Sequence, residues 1–261
     1  MEILSFSSAQ LGSLVGSFLW PLTRIMAFLS VVPVFGTQLV PARIRIVLSL
    51  TIAILVAPLL PPMPEVEGIS PAAVVIIIQQ IFIGVALGFF MQLIFHTFVI
   101  AGQLIAMQMG LGFASMMDPT NGVSVPVVSS MYLMVVTLLF ITMNGHLLML
   151  KLIVDSFTTF PVSTSFDILD SGLLQIINGI SWIFSSALII ALPAITALLI
   201  TNFAFGVMTK AAPQLNIFAL GFPVAMILGM FILWLTMDSY IESAKRIFTD
   251  MFLILETLIA R

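Results

Sequence analysis

Few residues in this chain are equipped for chemistry, and their spacing limits what they can do. His96 and His146 stand alone on apolar stretches. With no cysteine and no third ligand they form no metal site, and an isolated intramembrane imidazole has no proton path. Their expected role is structural: a satisfied hydrogen bond or part of a subunit contact. Asp118 is the only formal charge between Glu67 and Lys151. It and Asp155 flank one hydrophobic segment at opposite ends, too far apart to act as an acid/base pair. The chain holds no HExxH motif, no GxxxxGK[ST] nucleotide loop and no intramembrane chain of acids for protons. It therefore reads as a non-enzyme without cofactor or metal. Arg24 is the single charge in the first hydrophobic segment. It is costly there unless it snorkels near the segment's end or pairs with another subunit, the alternative being a role in ion conduction.

The background to these residues is 61% hydrophobic and 7% charged, with a mean hydropathy of +1.26, which is the composition of a membrane protein. Uncharged runs cover Ile25 to Ala42, Ile46 to Pro64, Gly68 to Met117, Pro119 to Leu150, Ser171 to Thr209 and Ala211 to Met237. Each is long enough for about 30 Å of hydrocarbon at about 1.5 Å per helical residue. The eight basic residues are too scattered for a nucleic-acid footprint. Glu2 stands where a signal peptide carries Lys or Arg, so the N-terminus is expected to be retained.

These runs predict an all-α, polytopic chain in one membrane-protein domain over 1–261. Six hydrophobic segments fall at about 11–33, 44–62, 73–100, 127–150, 175–208 and 215–237, followed by a tail helix. Barrel strands are excluded by length and by the lack of alternation. The fifth segment is too long for one span and holds Pro193, which predicts a kinked helix or two half-helices. Pro21, Pro33, Pro41, Pro58, Pro213 and Pro223 are read as marking helix starts and stops. The positive-inside rule does not decide the orientation: Arg43, Arg45 and Lys210 fall on one side, Lys151, Lys245, Arg246 and Arg261 on the other. In the tail, Ile241, Ala244, Phe248, Met251, Leu255 and Leu258 share a face opposite Glu242, Lys245, Arg246 and Asp250. That helix lies on a partner or the membrane surface, or packs back on this chain's own bundle. Small residues four apart, at Gly12 and Gly16, Gly84 and Gly88, and Gly221, Ala225 and Gly229, mark close helix approaches.

Between Ala101 and Pro126 the chain changes character. Gly102, Gly110, Gly112 and Gly122 free the backbone, while Met107, Met109, Phe113, Met116 and Met117 supply adaptable apolar bulk. Asp118-Pro119 and Asn121-Gly122 are turn pairs. Two readings stand: an ordinary inter-helix loop, or a deformable closure.

Four stretches resemble the FliR/SctT family of type III secretion export-gate subunits: QQIFIGVALGFFMQ (Gln79–Gln92), MQMGLGFASMMDP (Met107–Pro119), NGH (Asn144–His146) and AAPQLNIFALGFP (Ala211–Pro223). They occur in the family's order over nearly the whole chain, and the second is similar to the flagellar rather than the virulence-associated branch. The resemblance implies a gate subunit in the bacterial inner membrane and the flagellar basal body, one copy with several of FliP and FliQ, beside FlhB and FlhA, passing unfolded flagellar proteins. It also implies a FliP-like portion over 1–174, including a plug loop at about 106–126, and a FliQ-like helical hairpin over 175–261. Carried onto this chain, the plug is Gly110, Leu111, Gly112, Phe113, Ala114, Ser115, Met116, Met117, Asp118 and Pro119. Pro213, Gln214, Asn216, Phe218, Gly221 and Pro223 become a subunit interface, and Lys210 sits where the family often has a basic residue. Gly112 departs from members with Ser. A small-solute secondary transporter built on the Pro193 and Pro213 breaks, and a structural scaffold, are the rival readings.

Overall fold

Backbone groups in long uncharged runs have no water to bond, and a helix satisfies them within its own segment. The computed structural model describes residues 8–37, 39–61, 63–64, 66, 70–111, 126–163, 169–212 and 221–259, with side chains described outside 8–15, 169–180 and 254–259. Among the described residues every regular element is helical: α1 Ser8–Val31, α2 Ala42–Val56 with a 3₁₀ turn at Ala57–Leu59, α3 Pro71–Gln108, α4 Val127–Thr142, α5 Gly145–Thr159, α6 Leu169–Ala211 and α7 Phe222–Ile259. Among the described residues, four helical stretches are long and apolar enough to cross a membrane, or five when α4 and α5 count as one.

Three boundaries differ from the expectation. The segment placed at 127–150 is two helices, parted where Asn144 adopts a left-handed φ of 57°. Asn tolerates that conformation, and the Gly145 that follows opens α5. The tail is not a separate helix, since α7 runs 38 residues without interruption. No glycine or proline falls between Met230 and Ile259, so the face changes from apolar to amphipathic while the backbone continues. Pro21 lies inside α1 rather than at its end, while Pro193 lies, as expected, within one long helix, the 43 residues of α6.

Two compact units divide the chain. The first comprises Met1–Leu93, Asn144–Gly179 and Phe252–Arg261; the second, Ile94–Met143 and Ile180–Met251. In the first, Ile25, Phe28 and Leu29 of α1 and Val32 just after it are buried, as are Ile76 and Ile83 of α3 and Ile153 and Phe157 of α5. The Gly84/Gly88 spacing works as a close approach. A Cβ on Gly88 would lie 3.0 Å from the Phe28 carbonyl, and one on Gly84 would run into the Arg24 carbonyl. In the second, the rings of Phe95, Phe98, Tyr132, Phe140, Tyr240 and Phe248 form one aromatic core, with Phe95 edge-on to Phe140 at 5.2 Å and Tyr132 stacked on Tyr240 at 4.0 Å. The Tyr240 hydroxyl donates to the Tyr132 carbonyl at 2.7 Å, so the buried phenol is satisfied. The apolar face of the tail thus packs on the chain's own helices: Tyr240, Ala244, Phe248 and Met251 are all buried.

Candidate functional site

The segment expected to act as a plug is defined here by its two anchors, both in the second unit. At the first, α3 stops because Gly110 takes a φ of +81°. The Gly110 N–H donates to the Met107 carbonyl at 3.1 Å and the Leu111 N–H to the Ala106 carbonyl at 3.0 Å. This is the Schellman pairing that satisfies orphan carbonyls at a helix end with glycine in the left-handed position. Asn202 of α6 adds a donor from outside the helix, its Nδ2 lying 3.0 Å from the Gln108 carbonyl and 3.4 Å from Gln108 Oε1.

The start of α7 closes over the same point. A Cβ on Gly110 would sit 2.5 Å from Phe222 Cδ1, and a Cβ on Gly229 would sit 2.8 Å from the Sδ of buried Met109. Gly221, Ala225 and Gly229 are all buried, so the small-residue row faces inward, as its spacing implies. The second anchor is the start of α4. Pro126 is its N-cap, and Ser129 packs so tightly on α3 that a Cβ on Gly102 would lie 2.6 Å from its Cα.

Of the expected plug residues, Gly110 and Leu111 belong to the first anchor; Gly112 to Pro119 lie outside the described residues, as do Pro213, Gln214, Asn216 and Phe218. Gly221 is buried, and Pro223 is exposed as the second residue of α7, where its missing N–H costs no helical bond. His96 is exposed, and His146 is half-buried with a buried Nδ1 that has no hydrogen-bond partner among the described residues. No group of three metal-ligating side chains occurs among the described residues.

Sequence reasoning missed the other polar centre, in the first unit. Arg24 is fully buried rather than snorkelling, and the guanidinium is bonded within its own chain. Its Nε donates to Gln80 Oε1 at 2.7 Å, one terminal nitrogen to the Ser156 carbonyl at 2.8 Å and Oγ at 3.1 Å, and the other to the Phe160 carbonyl at 2.8 Å. The guanidinium lies 4.0 Å from the centre of the Phe157 ring. It caps the C-terminal end of α5, where helix carbonyls lack partners and the dipole favours a cation. Gln80 in turn bonds Gln79, which reaches Ser163. The adjacent Gln79-Gln80 pair on an apolar helix was the available signal.

Helices of this length and apolarity define an integral, polytopic helical membrane protein. The family model for bacterial export proteins, family 1, matches residues 15–251. The flagellar biosynthetic protein FliR of Pectobacterium carotovorum is 39% identical over 259 residues, covering 99% of this chain and 98% of that protein. That of Escherichia coli K12 is 36% identical over 258 residues, again 99% and 98%. The Bacillus subtilis protein of the same name is 27% identical over 237 residues, 89% of this chain and 90% of that protein. The chain belongs to the FliR family of bacterial export proteins.

Proposed function

We propose that this chain is a non-enzymatic subunit of the flagellar type III export gate, assembled with FliP and FliQ beside FlhB and FlhA in the basal body of the inner membrane. It passes unfolded flagellar proteins, and the segment from Gly110 to Pro119 seals the pore when no substrate is threaded. An unhydrated apolar constriction is a barrier to ions. The observation that carries the reading is the meeting of Gly110 with Phe222, which joins two of the family-like stretches, Met107–Pro119 and Ala211–Pro223, at one point. A closure tethered at a defined helix end can yield and return to the same seat. In this reading α6 and α7 make up the FliQ-like hairpin, and Pro213, Gln214, Asn216, Phe218 and Pro223 are offered to neighbouring subunits.

The transporter reading uses breaks at Pro193 and Pro213; α6 continues through Pro193, which favours the gate reading, and Pro213 lies outside the described residues. The test is ion leakage in cells whose gate carries this chain with Met116 and Met117 deleted. Leakage should rise while the subunit still assembles with FliP and FliQ; unchanged leakage in an assembled gate removes the plug assignment.

A further inference from the structure

The partners of Arg24 are made long after it. Its Nε acceptor, Gln80 of α3, follows it by 56 residues, and the acceptors of its terminal nitrogens, Ser156 and Phe160 at the end of α5, follow by 132 and 136. The Phe157 ring against the guanidinium also belongs to α5. Among the described residues every one of these partners is neutral, so dipoles and a ring face, not a carboxylate, match the charge.

Until they exist the charge has no place in hydrocarbon. Arg24 is the only formal charge in α1 and lies seven residues, about 10 Å, before the helix ends at Val31. Alone in a bilayer, α1 must snorkel the guanidinium to the headgroups or draw water inward. In the finished unit neither happens, because the side chain is fully buried against α3 and α5. The seat for α1 is likewise made by a later helix: Gly84 of α3 leaves room for the Arg24 carbonyl, and a Cβ there would also lie 2.9 Å from Ala27 Cβ. Helix α3 carries no formal charge over Pro71–Gln108 and so has none to strip of water on entry.

We infer that α1 enters the membrane out of order, after α3 and α5, as the last member of a three-helix unit that closes around Arg24. The charge keeps α1 at the membrane surface while the next 136 residues are made, roughly 7–27 s at about 5–20 residues per second. Four hydrogen bonds and the Phe157 ring face then replace the water around it. An unfinished chain therefore keeps its first helix out of the bilayer. This order of entry stands whether or not the export-gate reading holds.

The chain has no cysteine, so T23C places a single thiol beside Arg24. The full-length message is translated on inner-membrane vesicles, a maleimide that reacts only with thiols in water is added briefly, and the growing chains are sorted by length. T23C should react in chains that have not yet exposed Phe160 and become several-fold less reactive in longer ones. With R24M added, protection should begin once α1 itself has left the ribosome, although the finished unit is less stable. In the finished chain, Q80L should raise T23C reactivity several-fold, and R24M together with Q80L should lower it again. Protection of the natural chain before Gln80 has emerged, or an onset that R24M does not advance, would overturn the inference. An onset between Gln80 and Ser156 would overturn it too, by giving the whole role to α3, and so would a finished chain whose thiol is never protected.

Discussion

Gly110 at the end of α3 abuts the ring of Phe222 at the start of α7, leaving no room for a Cβ: one placed there would lie 2.5 Å from Cδ1 and 2.7 Å from Cε1. Two independent terms oppose any larger residue. The left-handed φ of +81° costs an L-residue about 1–2 kcal/mol, and the ring must move as well. G110A should therefore lower the thermal midpoint of the detergent-solubilised chain and slow flagellar export. Adding F222L should recover the steric part and leave the backbone part. Full recovery would show that only the ring mattered; no recovery would remove the contact from the explanation.

Arg24 should be indispensable for a different reason. R24M removes a buried charge of similar length but leaves the Phe160 carbonyl and Gln80 Oε1 without their donor, at about 2–4 kcal/mol in total. The Ser156 carbonyl keeps the Phe160 N–H at 2.9 Å, so it is spared. R24K keeps the charge without the planar fork and should fall between the two. Thermal midpoints of the three purified chains rank them, and an R24M midpoint equal to the natural one would contradict the capping role.

How much of this was legible beforehand follows from where each partner lies in the chain. Uncharged runs announced the helices because each run carries its own reason to be helical. The break at Asn144 was visible only as an Asn-Gly pair in an apolar run, since nothing there changes polarity. The unbroken α7 was hidden for the converse reason: its polarity changes at Asp238 while its backbone preference does not. Arg24 was legible as costly but not as satisfied, because its acceptors come from 56, 132 and 136 residues away. The glycine and methionine composition marked the end of α3 as special, yet the Phe222 and Asn202 contacts that fix it are tertiary.

Tyr240 separates ring packing from hydrogen bonding in the second unit. Y240F keeps the 4.0 Å stack on Tyr132 and loses only the 2.7 Å bond to its carbonyl, which should cost about 1–2 kcal/mol. Y240A also removes a buried ring and should cost about 3–5 kcal/mol. Equal thermal midpoints for the two variants would mean that the hydroxyl, not the aromatic core, holds α4 to α7.

Asn202 tests whether the anchor of α3 matters to the seal rather than to folding alone. Its side chain satisfies the Gln108 carbonyl from α6, two residues before Gly110, so N202A frees that carbonyl at about 1 kcal/mol and leaves the Gly110 turn itself intact. N202D keeps a similar shape but offers oxygen where a donor is required, so it should be worse than alanine. If the segment after α3 seals the pore, both variants should raise ion leakage in cells that assemble the gate at the normal level, with N202D leaking more, and N202Q restoring part of the seal wherever its longer amide still reaches. Leakage that stays at the natural level in all three, with thermal midpoints lowered as expected, would confine Asn202 to holding the helix end and separate that anchor from gating.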